Sequence, residues 1–346
     1  MRYQPLSKIT DAYWYSFNDE PIATRGALKL CDPAYLLPEE SPDGLWHMFA
    51  HTWIGLEHFT STSGLEWRRE HLVTWRAHSP FIFREGGTYW LFYEIHDRTN
   101  FSSKSEDSIS ASRIMVISSN DLMLWSKPKL VLDSTKIKRA QYKDGPVRVS
   151  RPQLIEWEGR YRLYFGAGET RMYDTRQKTT ARLMYAESDY LDKEWRVNPE
   201  PLLEIEPDSE YRNLAVGSVR IVPCSDGLAA FECAYSYDRE KNRSVSSVLL
   251  LTSLDGKEWK TEKVIQKTAE EGWASRYITS VDVRYKDGEN TWYCYYSANG
   301  YVEKFGKKFV KESLGLLLGT DPSPKIQNLD QGFLYCWIYS LIPCLD

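Results

Sequence analysis

Three carboxylates, three imidazoles and one guanidinium stand at matching places beside aromatic stretches of the chain. They are Asp32 in CDPAYL, His51 in FAHTW, His78 in RAHSP, Glu94 and His96 in FYEIH, Arg151 in VSRPQL and Glu169 in FGAGET. A carboxylate that takes a proton, a second that gives one and a cation that holds charge are the parts of an acid–base pocket. Asp32, Glu94 and Glu169 are therefore the candidate catalytic groups. His51, His78, His96 and Arg151 are candidates for binding substrate around them. Each has an ordinary structural use as well: Asp before Pro opens turns, and a histidine is more often a satisfied hydrogen-bonding ring than a proton shuttle.

Such groups make a site only where the fold collects them, and a repeat supplies that fold. A Ser-containing turn ending in Trp recurs as STSGLEW (Trp67), SSNDLMLW (Trp125), ESDYLDKEW (Trp195) and TSLDGKEW (Trp259). The spacing is about that of one four-stranded propeller blade with its loops. Between these markers lie paired strands joined by EGG, WEG and SDG turns, with KDG in a further pair after the last marker, where Gly accepts the positive φ that tight hairpins need. A fifth pair, SVDVRYKDGENTWYCYYSANG, has no terminal Trp. No long stretch shows helical periodicity. The expected fold class is all-β, a single five-bladed β-propeller of four-stranded antiparallel blades spanning 1–346. The blades are expected at roughly 25–75, 76–132, 147–204, 212–266 and 276–320, with 321–346 as a closing C-terminal segment. Each repeat Trp is read as a wedge between blades, without chemistry.

In a blade the innermost strand and its neighbour run antiparallel, so the start of one and the end of the other reach the same face of the disc. That topology predicts that the seven groups above converge on the axis. It adds Tyr235, Asp282 and Asn299 as substrate-binding candidates, and Tyr93, Tyr164, Tyr295 and Trp53 as candidate platforms for a sugar ring. The polar stretches 97–108, 133–146 and 171–180 are expected to form a rim or lid.

Composition narrows the partners. Lys plus Arg number 44 against 48 for Asp plus Glu, a formal charge of −4 without a basic block, so nucleic acid is not an expected partner. The six cysteines show no C-x-x-C pair and no zinc-ligand spacing, which predicts no metal site and reduced thiols. No cofactor is expected: phosphate-binding glycine loops are absent, and an axial calcium ion finds no acidic loop to fix it. No signal peptide is visible at the N-terminus and the apolar stretch 332–346 is too short to span a bilayer, so a cytoplasmic protein without membrane contact is expected. Oligomeric state is left open by the sequence.

The blade rhythm and the Asp32-Pro33 element resemble the five-bladed propeller glycoside hydrolases of the arabinanase, β-xylosidase and invertase type, families 43 and 32. In that group an Asp opening the first blade acts as base or nucleophile, and CDPAYL is similar to that element. The resemblance implies a small carbohydrate substrate held in an axial pocket. It also marks two departures. Where the family has a second Asp opening the third blade, this chain has Arg151 before Pro152. Where the family has its acid, a Glu opening the fourth blade, this chain reads NLAVGSVRIV, with Val216 and Gly217.

Glycoside cleavage generally needs two carboxylates, so Glu94 or Glu169 is expected to replace the missing acid. The resulting expectation is a glycoside hydrolase-like enzyme with a non-standard acid/base arrangement. The alternatives are non-hydrolytic chemistry (phosphorolysis, elimination or transfer) on an anionic sugar or metabolite held by Arg151, and a non-catalytic carbohydrate-binding protein.

Overall fold

Short aromatic and β-branched runs separated by Gly, Asn and Asp turns form twenty strands in the computed structural model, which describes residues 3–23, 29–96, 111–304 and 306–321. Strand β1 (Tyr13–Ser16) comes first. Blade 1 then holds β2 (Leu30–Leu36), β3 (Trp46–Thr52), β4 (Gly55–Ser61) and β5 (Arg68–Trp75). Blade 2 holds β6 (Ala77–Glu85), β7 (Thr88–His96), β8 (Ser112–Ser119) and β9 (Lys129–Asp133). Blade 3 holds β10 (Val149–Trp157), β11 (Arg160–Arg171), β12 (Lys178–Ser188) and β13 (Arg196–Val197). Blade 4 holds β14 (Ala215–Cys224), β15 (Gly227–Asp238), β16 (Arg243–Ser253) and β17 (Lys260–Lys267). Blade 5 holds β18 (Tyr277–Lys286), β19 (Thr291–Lys304) and β20 (Lys307–Thr320).

All five sheets are four-stranded and antiparallel, and the innermost strands β2, β6, β10, β14 and β18 contact one another in a closed ring. This is the expected five-bladed propeller. The fourth strand of blade 5 is β1, paired with β20 from Tyr13–Thr320 to Ser16–Leu317. One blade thus takes its strands from both ends of the described chain, and Lys8 adds an ion pair to Asp321 at 2.6 Å. The expected closing segment lies, beyond Asp321, outside the described residues.

The ring also explains the missing fifth Trp. Trp67 packs on Tyr295, Trp125 on Phe49 and Trp259 on Tyr164, each ring lying against the preceding blade. Trp195 of blade 3 joins Phe81 and Phe92 of blade 2 in the same way. In blade 5 the wedge is Trp14 of β1, whose ring meets Phe231 of blade 4 edge-on at 5.2 Å. The indole Nε1 of all five is buried without a hydrogen-bond partner, so packing alone holds them. The turns before them are closed by a serine: the Oγ atoms of Ser61, Ser119, Ser188 and Ser253 accept from backbone N–H groups two or three residues on.

Tyr93, Tyr164 and Tyr295 are buried in these seams. The Tyr164 and Tyr295 hydroxyls donate to Gly256 O and Gly64 O in the Trp turns of the next blade. They are core, and the expectation that they form sugar platforms is corrected: alternate residues of a second strand face the blade interface, not the axis. Trp53 is exposed on the β3–β4 turn.

Each innermost strand breaks register near its start, between Cys31 and Ala34, His78 and Phe81, Ser150 and Gln153, Ala215 and Ser218, and Ile278 and Ser280. At this shared bulge Asp32, Ser79, Arg151 and Gly217 have φ between 47° and 73°. Three of them precede a proline, which has no N–H to give a ladder and is tolerated at bulges. Further along these strands lie buried ion pairs, Asp282 of β18 against Arg220 of β14 at 2.7 Å and Arg284 of β18 against Glu40, in the turn after β2, at 2.9 Å.

Trp14→Ala is expected to lower unfolding free energy by about 3 kcal/mol, the usual loss for a packed indole, while Tyr13→Ala beside it changes it by less than about 1 kcal/mol. Urea denaturation followed by circular dichroism checks this. Equal effects would show that β1 does not wedge the ring shut.

Candidate functional site

The bulge is what aims the site. In a regular strand Asp32 would fall into the ladder; with left-handed backbone its carboxylate turns onto the axis, into a cavity of about 440 Å³. Asp32 lines it together with its partners. Ser79 Oγ donates to Asp32 Oδ2 at 3.2 Å, Arg151 Nη1 stands 3.4 Å from Oδ1 and His51 Nδ1 3.6 Å from Oδ2. The Asp32 backbone N–H donates to Ser297 Oγ at 3.3 Å. Arg151 is itself fixed by donating to Thr279 O at 3.1 Å. Three neighbouring bulges therefore supply Asp32 and two of its partners.

A chain of ionisable groups runs from Asp32 across blades 1 to 3. His51 and His78 meet through their Nδ1 atoms at 3.4 Å, and the His78 and His96 rings lie 4.7 Å apart. His96 Nε2 is 2.6 Å from Glu94 Oε1, which also accepts from Arg148 Nε at 2.8 Å. Arg148 Nη1 donates to Glu169 Oε2, and Lys178 Nζ pairs with Glu169 Oε1 at 3.1 Å. Arg148 thus bridges two buried carboxylates.

The electrostatics follow from this wiring. Burial pushes the Asp32 carboxyl up, but Arg151, His51 and Lys29 outweigh it and hold the group well below the usual carboxylate range. Burial likewise raises Glu94, and Arg148, His96 and His78 override it in the same direction. Burial works against the Arg148 charge, yet Glu94 and Glu169 raise its affinity for the proton. For the imidazoles burial wins: His51 is lowered despite Asp32, and His78, with His51 beside it, is lowered to about 2. At neutral pH Asp32 and Glu94 are therefore ionised, with the neutral rings of His51 and His78 between them.

Asp32, Glu94, Glu169, His51, His78, Arg151 and Asn299 all line the cavity. Asn299 keeps its Oδ1 buried and unpartnered. His96 stands at the edge, against Glu94 and Arg148. Tyr235 and Asp282 do not line it. The Tyr235 ring is buried behind Gly217, where an added Cβ would meet it at 2.9 Å and Cys233 O at 2.1 Å. Asp282 lies deeper on β18, where it pairs with Arg220 and accepts from the Tyr35 backbone N–H at 2.8 Å. Both had been placed by lying near a first-strand start or a second-strand end, which identifies a face of the disc but neither the depth along the axis nor the direction of the side chain.

Gly217 occupies in blade 4 the bulge that bears Asp32 in blade 1. With φ of +73° and no room for a Cβ, this position has no side chain to act as an acid.

The groups that sequence reasoning missed share a pattern. Arg148 lies three residues before the bulge residue Arg151, Lys29 three before Asp32 and Arg276 three before Thr279; all three line the cavity. Arg76 holds the same position before Ser79 and is exposed. A basic residue three places ahead of the bulge was thus a readable signal in four blades.

For a metal, the closest donor set among the described residues is Cys31, Asp32 and His51, whose ligand atoms lie within 4.8 Å of one another. A thiol with an imidazole suits a borderline ion such as zinc and not the all-oxygen shell of calcium. The four described cysteines are buried and unpaired, and among the described residues no helix is long and apolar enough to cross a membrane. Of the polar stretches, Thr175 to Thr180 line the cavity, while 97–108 lies wholly outside the described residues, as does all of 321–346 after its first residue.

No protein-family model matches the sequence, and no curated protein matches it. Among solved structures the fold is similar to that of Zg3597, a family 117 glycoside hydrolase of the marine bacterium Zobellia galactanivorans, at 12% identity and a TM-score of 0.55, covering 99% of this chain and 97% of that one. It is also similar to an exo-1,5-α-L-arabinanase from a bovine ruminal metagenomic library, at 14% identity and a TM-score of 0.55 over 86% of this chain and 94% of that one. A family 32 β-fructofuranosidase of Bombyx mori gives 13% identity and a TM-score of 0.55 over 86% and 61%. The likeness is one of fold.

The lowered His78 gives a pH test. The unfolded ring binds its proton near 6.5 and the folded one near 2, so the unfolded state binds more protons in that window. Its contribution to stability is complete above the upper value and is lost as pH falls. His78→Gln is expected to reduce the fall in Tm between about pH 7.5 and about pH 5, a range above the titration of Asp32 and Glu94. An unchanged slope would mean that His78 is solvated and protonates freely.

Proposed function

We propose that the protein is a carbohydrate-active enzyme that acts on a glycosidic bond in the axial cavity. The observation that carries the reading is Asp32: a largely buried carboxylate turned onto the axis by a left-handed bulge, lining the cavity and held there by Ser79, His51 and Arg151. A pocket of this volume with convergent polar groups suits a small saccharide. The likeness of fold to an arabinanase, a β-fructofuranosidase and a family 117 hydrolase points the same way.

In this reading Asp32 is the base or nucleophile at the anomeric centre. Arg151 neutralises part of its charge and fixes its orientation, in the place where the resemblance led one to expect an Asp. Glu169 is ion-paired with Arg148 and Lys178, and it serves as the proton donor once a bound substrate draws Lys178 away. It faces the cavity from the end of β11, and one of its two cationic partners, Lys178, is half-exposed and free to move aside. Glu94, enclosed by Arg148 and His96, is a positioning residue that keeps Arg148 against Glu169.

Turnover of a panel of nitrophenyl glycosides, both neutral and phosphorylated on the sugar, tests the assignment. Asp32→Asn is expected to lower kcat by at least about a thousandfold while sparing binding. Glu169→Gln should lower the rate on glycosides with poor leaving groups by about a hundredfold and leave dinitrophenyl glycosides nearly unaffected, because only a poor leaving group needs the proton. A wild-type protein that binds saccharides and turns over no glycoside would be a binding protein, and the reading would fall.

A further inference from the structure

Among the described residues the cavity lining carries more positive than negative charge, although the chain as a whole carries −4. Six basic side chains among the described residues line it against four carboxylates. Asp32 is matched by Arg151, Glu94 and Glu169 share Arg148, Glu169 also takes Lys178, and Glu312 lies 3.7 Å from Lys29. Arg176 and Arg276 are left over. Neither has a carboxylate partner among the described residues, and they account for the surplus of two.

Their surroundings form one wall of the cavity. Arg276 precedes β18 and Nη2 donates to Thr175 O at 2.7 Å, which ties it to the turn between β11 and β12 that carries Arg176. Its guanidinium lies over the Tyr277 and Tyr301 rings, 5.5 and 5.8 Å from their centroids. Its Nε is buried with no hydrogen-bond partner. A fixed guanidinium with a donor withheld from water is an unfinished site, since buried donors are ordinarily paired. Arg176 sits on the turn at φ +60° and Lys178 follows two residues later, so three cations flank the same space.

We propose that this wall is a subsite for a phosphoryl group, and that the substrate is a phosphorylated sugar. The inference rests on the glycosidic reading for the sugar and on the arginine wall for the phosphate. Guanidinium forks match the spacing of phosphate oxygens and bind them bidentately. A phosphomonoester carries about −1.5 to −2 charges at neutral pH, which balances the surplus of two, whereas a carboxylate leaves one cation uncompensated. The uncompensated pair also fits Gly217, the blade-4 position without a proton donor: a sugar that already carries an anion meets fixed cations in this pocket.

Calorimetric titration at constant ionic strength tests the subsite with inorganic phosphate, acetate and a neutral monosaccharide as probes. Phosphate is expected to bind the wild type, acetate to bind at least about tenfold more weakly, and Arg276→Ala and Arg176→Ala each to weaken phosphate by about tenfold. Arg196→Ala, on the exposed outer strand of blade 3, should have no effect. Arg176 is exposed on a turn and Arg276→Lys keeps the charge, so these two variants serve if Arg276→Ala does not fold; Arg276→Lys should restore only part of the affinity. Absence of phosphate binding, binding indifferent to both arginines, or acetate binding equal to phosphate overturns the proposal. The glycosidic reading fails by a different result, the lack of turnover or of any effect of Asp32→Asn, so the two failures are distinguishable.

Discussion

The site depends on one backbone device, the bulge at the start of each innermost strand. Holding a residue other than glycine in the left-handed region costs of order 1–3 kcal/mol and persists only where the surroundings over-determine it. Here Asp32, Ser79 and Arg151 all adopt it, at equivalent places in three successive blades. The ring supplies the constraint: each bulge is clamped between its own second strand and the neighbouring innermost strands. The strain turns polar side chains out of the ladder and onto a shared axis. A propeller with regular inner strands would bury Asp32 in the sheet and lose its contacts with Ser79 and Arg151 together.

Once the bulges have set the positions, charge pairing decides what the groups can be. Buried carboxylates survive ionised only where cations and hydrogen bonds repay the lost hydration. Arg148 does this for Glu94 and Glu169 at once, and Arg151 does it for Asp32. The imidazoles lack enough negative charge to offset burial and stay neutral. The pocket therefore pairs charges of opposite sign on blades 1 to 3, while on the wall between the β11–β12 turn and β18 Arg176 and Arg276 have no carboxylate partner among the described residues.

The closure of the ring makes this arrangement rigid. Five tryptophans wedge the blade seams, and the fifth is drawn from the N-terminal strand, so blade 5 is completed by residues nearly the whole described chain apart. Further along the inner strands the Arg220–Asp282 and Arg284–Glu40 pairs add buried ionic contacts. The site is consequently held in part by side chains that do not touch a substrate.

The repeat of Ser turns, Trp residues and Gly hairpins determined the five blades, because a four-stranded antiparallel sheet needs those residues at those intervals whatever surrounds it. The same rhythm brought Asp32, His51, His78, Glu94, Arg151, Glu169 and Asn299 to one cavity, since the starts of first strands and the ends of second strands share a face. Trp14 was not legible as a wedge, for nothing local shows that a strand more than 300 residues from its partner completes the last blade. Nor were the depths of Asp282 and Tyr235: a place near a strand end gives a residue its face of the disc, and only the packed ring gives its level on the axis. Arg148 stood in plain view three residues before a bulge that the sequence did not reveal. Its role between Glu94 and Glu169 exists only where three strands from two blades meet, because pairing energies between buried charges depend on distances that no linear spacing fixes.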